Sequence, residues 1–198
     1  MTKNWLVSSV SYPILDQCLK VIMLLAEPKI HNPPYITIAG PKDQPFKTIP
    51  LPDPAVVRVC GTGAFYNKDK IAVFLRVDAS ELGRFWDKPN SPGSEASLDA
   101  HITLYNGSDT TWARTILSTI SSFHIDFKMP VTELHNLLSP HPAQTESTMY
   151  RLSSSIDWDN IGSVTGINTY HIELEASENN RTKVMENLIK YVVHTYNS

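Results

Sequence analysis

Two short segments constrain this chain more than any others: Tyr35-Ile36-Thr37-Ile38 and, 66 positions later, His101-Ile102-Thr103-Leu104. Each is β-branched and bounded by turn formers, so each reads as a strand. Successive side chains of a strand point to opposite faces. His101 and Thr103 therefore share one face and Ile102 and Leu104 the other, and Tyr35 and Thr37 repeat the arrangement against Ile36 and Ile38. One strand presents an imidazole and a hydroxyl; the other presents a phenol and a hydroxyl. Hydroxyls can hold phosphate oxygens and a titratable ring can move a proton. The pattern suits a phosphate ester.

Both segments follow a similar lead-in of helix, proline-containing loop and strand. Trp5 to Val10 reads as a first strand. Pro13 stands where a helix can begin, and Ile14, Leu15, Cys18, Leu19, Ile22 and Leu25 form its apolar stripe. Pro28, Pro33 and Pro34 end it. Gly40 to Pro54, with Pro41, Pro45, Pro50, Pro52 and Pro54, reads as an irregular surface loop. Ala55 to Cys60 and Ile71 to Val77 are β-rich runs with a turn over Asn67 to Lys70. Cys60-Gly61-Thr62-Gly63 lacks the following helix and Lys-Ser/Thr of a P-loop, so it reads as a turn or bulge.

Ser80 fits the N-cap of a short helix to Trp86, Lys88 to Ser97 a second loop, and Asn106-Gly107 a turn. Asp109 should cap a helix on which Trp112, Ile116, Leu117 and Ile120 share a face. Strands are expected over Ile125 to Leu134, Met149 to Ile156 and Thr169 to Leu174, with an exposed loop or lid over Ser139 to Ser147. A helix from about Arg181 to Tyr196 closes the chain, with Val184, Leu188, Tyr191, Val192 and Thr195 as its stripe. Many short strands among helices indicate an α+β or mixed α/β class.

At 198 residues the chain is most simply one domain with a substantial core. A net charge of −3 with scattered basic residues gives no footprint for long nucleic acid. Val21 to Ala26, the longest strictly apolar run, is far too short to span a bilayer. Cys18 and Cys60, with no secretory pattern over Met1 to Ser11, read as reduced thiols of a cytoplasmic protein. No spacing among the seven histidines and two cysteines makes a zinc site.

The segments "PPYITIAGP" (Pro33 to Pro41) and "DAHITLYNG" (Asp99 to Gly107) resemble the paired H-x-T/S signatures of the 2H phosphoesterase superfamily, which includes RNA 2′-5′ ligase-like proteins and cyclic nucleotide phosphodiesterases. The resemblance covers roughly Trp5 to Leu134 in order and spacing; residues from Ser139 onward are not aligned. It implies one domain over 1–198 with two pseudo-symmetric lobes, antiparallel or mixed sheets forming a central cleft and helices outside. In such a cleft two histidines act as general base and general acid on a 2′,3′-cyclic phosphate or a 2′-5′ linkage. No metal or cofactor is required. Carried onto this chain, His101 is the retained imidazole, Thr37 and Thr103 are the phosphate-holding hydroxyls, and Tyr35 stands where the other histidine would.

That departure matters physically. A histidine titrates near pH 6.5, whereas a tyrosine with its pKa near 10 donates a hydrogen bond or a proton but is a poor base. The expected function is a metal-independent phosphodiesterase acting on a cyclic or 2′-5′ linked nucleotide or RNA end, with His101 and Tyr35 catalytic. The alternative is a degenerate relative that captures a nucleotide without cleaving it, and a third reading is a protein-interaction domain using the proline-rich loops.

Arg58, Lys68, Arg76 and Arg151 are candidate phosphate or base contacts, and Phe65, Trp86, Tyr105 and Tyr150 candidate stacking partners, although each singly also fits surface charge or core. His171-Ile172-Glu173 carries a carboxylate that would repel phosphate. His124, His135 and His194 fit packing or surface positions, and His31 reaches the cleft only if its loop curls back.

Overall fold

The computed structural model describes residues 3–27, 33–47, 50–51, 53, 55–82, 100–139, 154–169 and 177–197. Its elements in order are β1 (Lys3–Ser9), α1 (Pro13–Ala26), β2 (Tyr35–Lys42), β3 (Ala55–Asn67), β4 (Lys70–Asp78), a 3-10 turn (Ser80–Leu82), β5 (His101–Gly107), α2 (Thr110–Ser121), β6 (Asp126–Val131), β7 (His135–Ser139), α3 (Trp158–Thr165) and α4 (Glu178–Tyr196). The seven strands form one sheet in the order β6-β3-β4-β5-β2-β1-β7, every neighbouring pair antiparallel. The class is α+β.

Local chemistry sets the helix ends. Pro13 opens α1, where its missing N–H costs nothing. The Asp109 carboxylate accepts from Trp112 N at 2.9 Å and caps α2. Ser177 caps α4 by accepting from Asn180 N. One core cluster joins Leu15, Leu19 and Ile22 of α1, Ile116 and Ile120 of α2, and Leu188 and Val192 of α4 to Ile36, Ile38, Ile102 and Leu104 of the sheet. Burying that apolar face is the main stabilising term. At its edge the Trp112 indole donates to Ala26 O at 2.7 Å, and the Arg181 guanidinium lies over the Trp112 ring at 4.5 Å. Arg181 also donates to Leu25 O, so the last turn of α1 gains a cation that its own sequence lacks.

Within this one sheet β5 and β2 are joined by a single Cα partner pair, Thr37 with His101, with β6, β3 and β4 lying beyond β5 and β1 and β7 beyond β2. Among the described residues no helix is long and apolar enough to cross a membrane.

Several local expectations change. β2 runs past Gly40, whose φ of +129° favours glycine and whose Cα lies under the Trp5 ring. β3 continues through Cys60-Gly61-Thr62-Gly63, accommodating it as a bulge between Val59 and Thr62. Of the helix expected over Ser80 to Trp86, Ser80–Leu82 form a 3-10 turn capped by Asp78, which accepts from Ser80 N at 3.0 Å, and residues 83–86 lie outside the described residues. β5 includes Asn106 and Gly107, so the chain turns after them. His135 to Ser139 is a strand because it pairs with β1 at the sheet edge.

The strand expected over Met149 to Ile156 fails where it is described. Ser154 is helical and Ser155 and Ile156 turn, held by Gln17, which donates to Ser155 O and accepts from Asp157 N at 2.7 Å. The helix α3 that follows was not expected. It is capped by Asp157 at its start and ended by Gly166 at φ 71°. Lys88 to Ser97, most of Thr169 to Leu174 and most of the Ser139 to Ser147 loop lie outside the described residues.

Candidate functional site

The pairing of β2 with β5 makes the site. Residues directly opposite in an antiparallel pair point to the same face. Thr37 opposite His101 therefore puts these two side chains together, and the same register sets Tyr35 level with Thr103. Ile36, Ile38, Ile102 and Leu104 are buried on the other face, in the core cluster under the helices. Strand alternation thus leaves Tyr35, Thr37, His101 and Thr103 on the face away from the helices, as a four-cornered patch. Thr37 is 7 % exposed; the other three are half-buried.

The corners are not equivalent. Side chains across the pair lie about 5 Å apart at Cβ and diagonal neighbours about 7–8 Å. One diagonal joins His101 to Tyr35, the other Thr37 to Thr103. An atom centred over the patch would have a titratable ring on each side along the first diagonal and a hydroxyl on each side along the second. In-line displacement at phosphorus needs the attacking and leaving oxygens on opposite sides, and this layout supplies a ring to each.

A local two-fold axis between antiparallel neighbours relates Tyr35 to His101 and Thr37 to Thr103. The flanking strands extend the relation. On β4, Arg76 is partnered with His101 and Phe74 with Thr103; on β1, Ser9 is partnered with Tyr35 and Val7 with Thr37. Val7 and Phe74 are buried apolar residues that lie outside the core cluster, as befits the second face. One strand further out, Gly63 partners Phe74 and His135 partners Val7.

Burial pushes the Tyr35 phenol above its ordinary pKa of 10.0, so it is a neutral donor at physiological pH. The His101 ring is bracketed by two aromatics. Phe65 meets it edge-on with centroids 5.2 Å apart and planes at 82°, and Phe74 is tilted against it at 5.2 Å. Phe65 and Phe74 stack on each other at 4.3 Å. Arg76 is exposed beside His101. Asp78, two residues along the same face, is held below its ordinary pKa chiefly by its hydrogen bonds from Ser80.

Tyr105 does not join the site. Alternation from His101 and Thr103 would aim it there, but β4 shifts register by one residue between Val73 and Phe74, which leaves an extra residue on β5. Tyr105 therefore follows Val73 to the helix face, where it is fully buried and its hydroxyl bonds the Asp109 backbone at 3.2 and 3.3 Å. Arg58 is occupied elsewhere, in a two-pronged ion pair with Asp126 across β3 and β6. Lys68 sits in the β3–β4 turn. Tyr150, Arg151, Trp86, His31 and His171 lie outside the described residues.

His135 is exposed on β7, two strands beyond Thr37, and pairs with Glu133 at 3.0 Å. His124 and His194 are exposed and lie far along the chain fold, at the end of α2 and in the last turn of α4. Phe74 was missed from the sequence, because a phenylalanine in a β-rich run carries no signal for the face it takes. Among the described residues no group of three or more His, Cys, Asp or Glu could hold a metal ion. No protein-family model, curated protein or solved structure matches the chain.

Proposed function

We propose that this chain is a two-lobed phosphoester-handling protein of the 2H type, its lobes the two half-sheets that meet at Thr37 and His101. More particularly, we infer a metal-independent phosphodiesterase acting on a 2′,3′-cyclic phosphate or a 2′-5′ linkage of a nucleotide or RNA end. The observation that carries this is the direct pairing of Thr37 with His101, which draws both H-x-T-like strands into one patch.

In the reaction on a cyclic phosphate, His101 takes a proton from water as the water oxygen attacks phosphorus. The bond from phosphorus to one ribose oxygen breaks, and the Tyr35 phenol gives that oxygen its proton. Thr37 and Thr103 donate to the non-bridging oxygens, whose charge grows in the transition state. Proton transfer from the His101 imidazolium through solvent to the Tyr35 phenolate restores both groups. The product is a ribose monophosphate ester with one free hydroxyl. Both cysteines are free thiols, which suits a reducing compartment, and we place the protein in the cytoplasm.

A second reading has one observation in its favour. Burial makes the Tyr35 phenol a weaker acid than an ordinary one, and a weak acid is a slow proton donor. On that reading the patch captures a nucleotide without cleaving it. Incubation with 2′,3′-cyclic nucleotides and 2′-5′ linked oligonucleotides separates the two. Product formation that disappears in His101→Ala is the expected result; tight binding with quantitative recovery of intact ligand would overturn the enzyme in favour of the binder.

A further inference from the structure

The most unusual apolar surface of the described face is a ring standing beside His101. Phe65 is 42 % exposed, whereas Phe74, on which it stacks at 4.3 Å with planes 30° apart, is 7 % exposed. The pair is held from below. A Cβ at Gly63 would sit 2.7 Å from two carbons of the Phe74 ring, so that ring lies flat over the glycine, in space only glycine leaves. Phe65, two residues along β3, then rests one face on Phe74, turns an edge toward His101, and leaves its other face to solvent.

We propose that the outer face of Phe65 is the nucleobase platform of this site, stacking the base of the nucleotide whose phosphate occupies the patch of Tyr35, Thr37, His101 and Thr103. The platform presupposes that phosphate site. An exposed ring face beside a phosphate patch is available to a flat partner, and base–aromatic stacking is worth about 1–3 kcal/mol per base. The occupant is a single ring system, because Phe65 is one ring wide and has Arg76 and an imidazole beside it rather than more apolar surface.

The platform also gives the ligand a direction. Among the described residues its counterpart under the local two-fold is not aromatic: Val7 stands in the place of Phe74, His135 in the place of Gly63 and Leu137 in the place of Phe65. Trp5, the aromatic residue of that strand, covers Gly40 toward the far end of β2. The nucleoside therefore lies on the β3–β4 side and sets its ribose against His101, and the rest of the ligand extends past Tyr35. Because a stacking face reads no hydrogen-bond edge, recognition is tolerant of base identity.

The test uses two probes with the same charged group, both products of the proposed reaction and so not turned over: adenosine 3′-monophosphate and the base-free methyl riboside 3-monophosphate. Their dissociation constants are measured by calorimetry on the full chain, wild type, Phe65→Leu and Phe65→Trp, with circular dichroism to check folding. Phe65→Leu is expected to weaken the adenosine probe about tenfold, the low end for one stacked base, and to leave the base-free probe within about twofold. Phe65→Trp is expected to bind the adenosine probe at least as tightly as wild type. Equal loss on both probes, or no loss on either, overturns the platform and leaves the phosphate site standing. Failure of both probes to bind wild type overturns the phosphate site and the platform together.

Discussion

The two halves of the site share a backbone plan and differ in what they do with it. Around His101 the plan carries Arg76, Phe74 and, across Gly63, Phe65. Around Tyr35 it carries Ser9, Val7 and, beyond them, His135 paired with Glu133. The hydroxyl corners, Thr37 and Thr103, are the same in both. The hydroxyl pair is thus symmetric, while the imidazole, the guanidinium and the stacked aromatics are concentrated in one half. Relating the halves by one axis shows which substitutions carry chemistry, because the backbone term is common to both.

The largest expected difference is between the two rings. His101→Ala should lower kcat/KM on a 2′,3′-cyclic nucleotide by roughly 10²–10⁴, and Tyr35→Phe by less, because burial makes the phenol a weaker acid and so a slower proton donor. Equal losses would make the halves equivalent and remove the asymmetry.

Next comes the aromatic bracket. Gly63→Ala would put a methyl into the Phe74 ring, and overpacking of this kind costs about 1–3 kcal/mol. Denaturant melts should therefore show destabilisation at Gly63, while Val7→Ala, the change at the position matched to Phe74, should be milder than Phe74→Ala because less apolar area is lost. A tolerated Gly63→Ala would mean that the ring over it moves freely.

The pH dependence should then separate donor from base. Burial raises the Tyr35 pKa above 10.0, so the phenol stays protonated below that value. Activity should rise through the titration of an imidazole and stay level until the phenol ionises. Tyr35→His should turn this plateau into a bell, with activity falling above the second imidazole pKa. The sign for stability is the same: a raised folded pKa gives a contribution fully present below pH 10 and lost as pH climbs through the folded value. A wild-type profile that falls between pH 7 and 9 would contradict the donor role. The smallest effect should be at Arg58, which is engaged by Asp126; Arg58→Ala should leave nucleotide binding within about twofold, where Arg76→Ala weakens it.

Much of this was legible in the sequence because it depends on local chemistry. Period-2 alternation gave the faces of β2 and β5, Pro13 and Asp109 gave helix starts, and the Cys60 to Gly63 run gave a bulge. Tyr105, which the sequence offers both to a base and to the core, goes to the core because one extra residue on β5 inverts the alternation; nothing in the sequence of that strand marks the shift, and its cause is the pairing with β4. The bracket around His101 was illegible for a related reason. Phe65, Phe74 and His101 come from three strands, and register between strands is a long-range property. The helix α3 was hidden by a Ser-rich approach that reads equally as strand or turn, and was decided by Gln17 of α1.

One titration addresses whether the four side chains form a single phosphate site. Adenosine 3′-monophosphate, a product that is not turned over, would be added to isotopically labelled protein, and the His101 ring and the backbone amides of Thr37 and Thr103 followed by NMR. All three should shift together along one saturating curve, and Thr37→Val should weaken that curve for His101 as well. Saturable shifts elsewhere, with these three signals unmoved, would contradict the account.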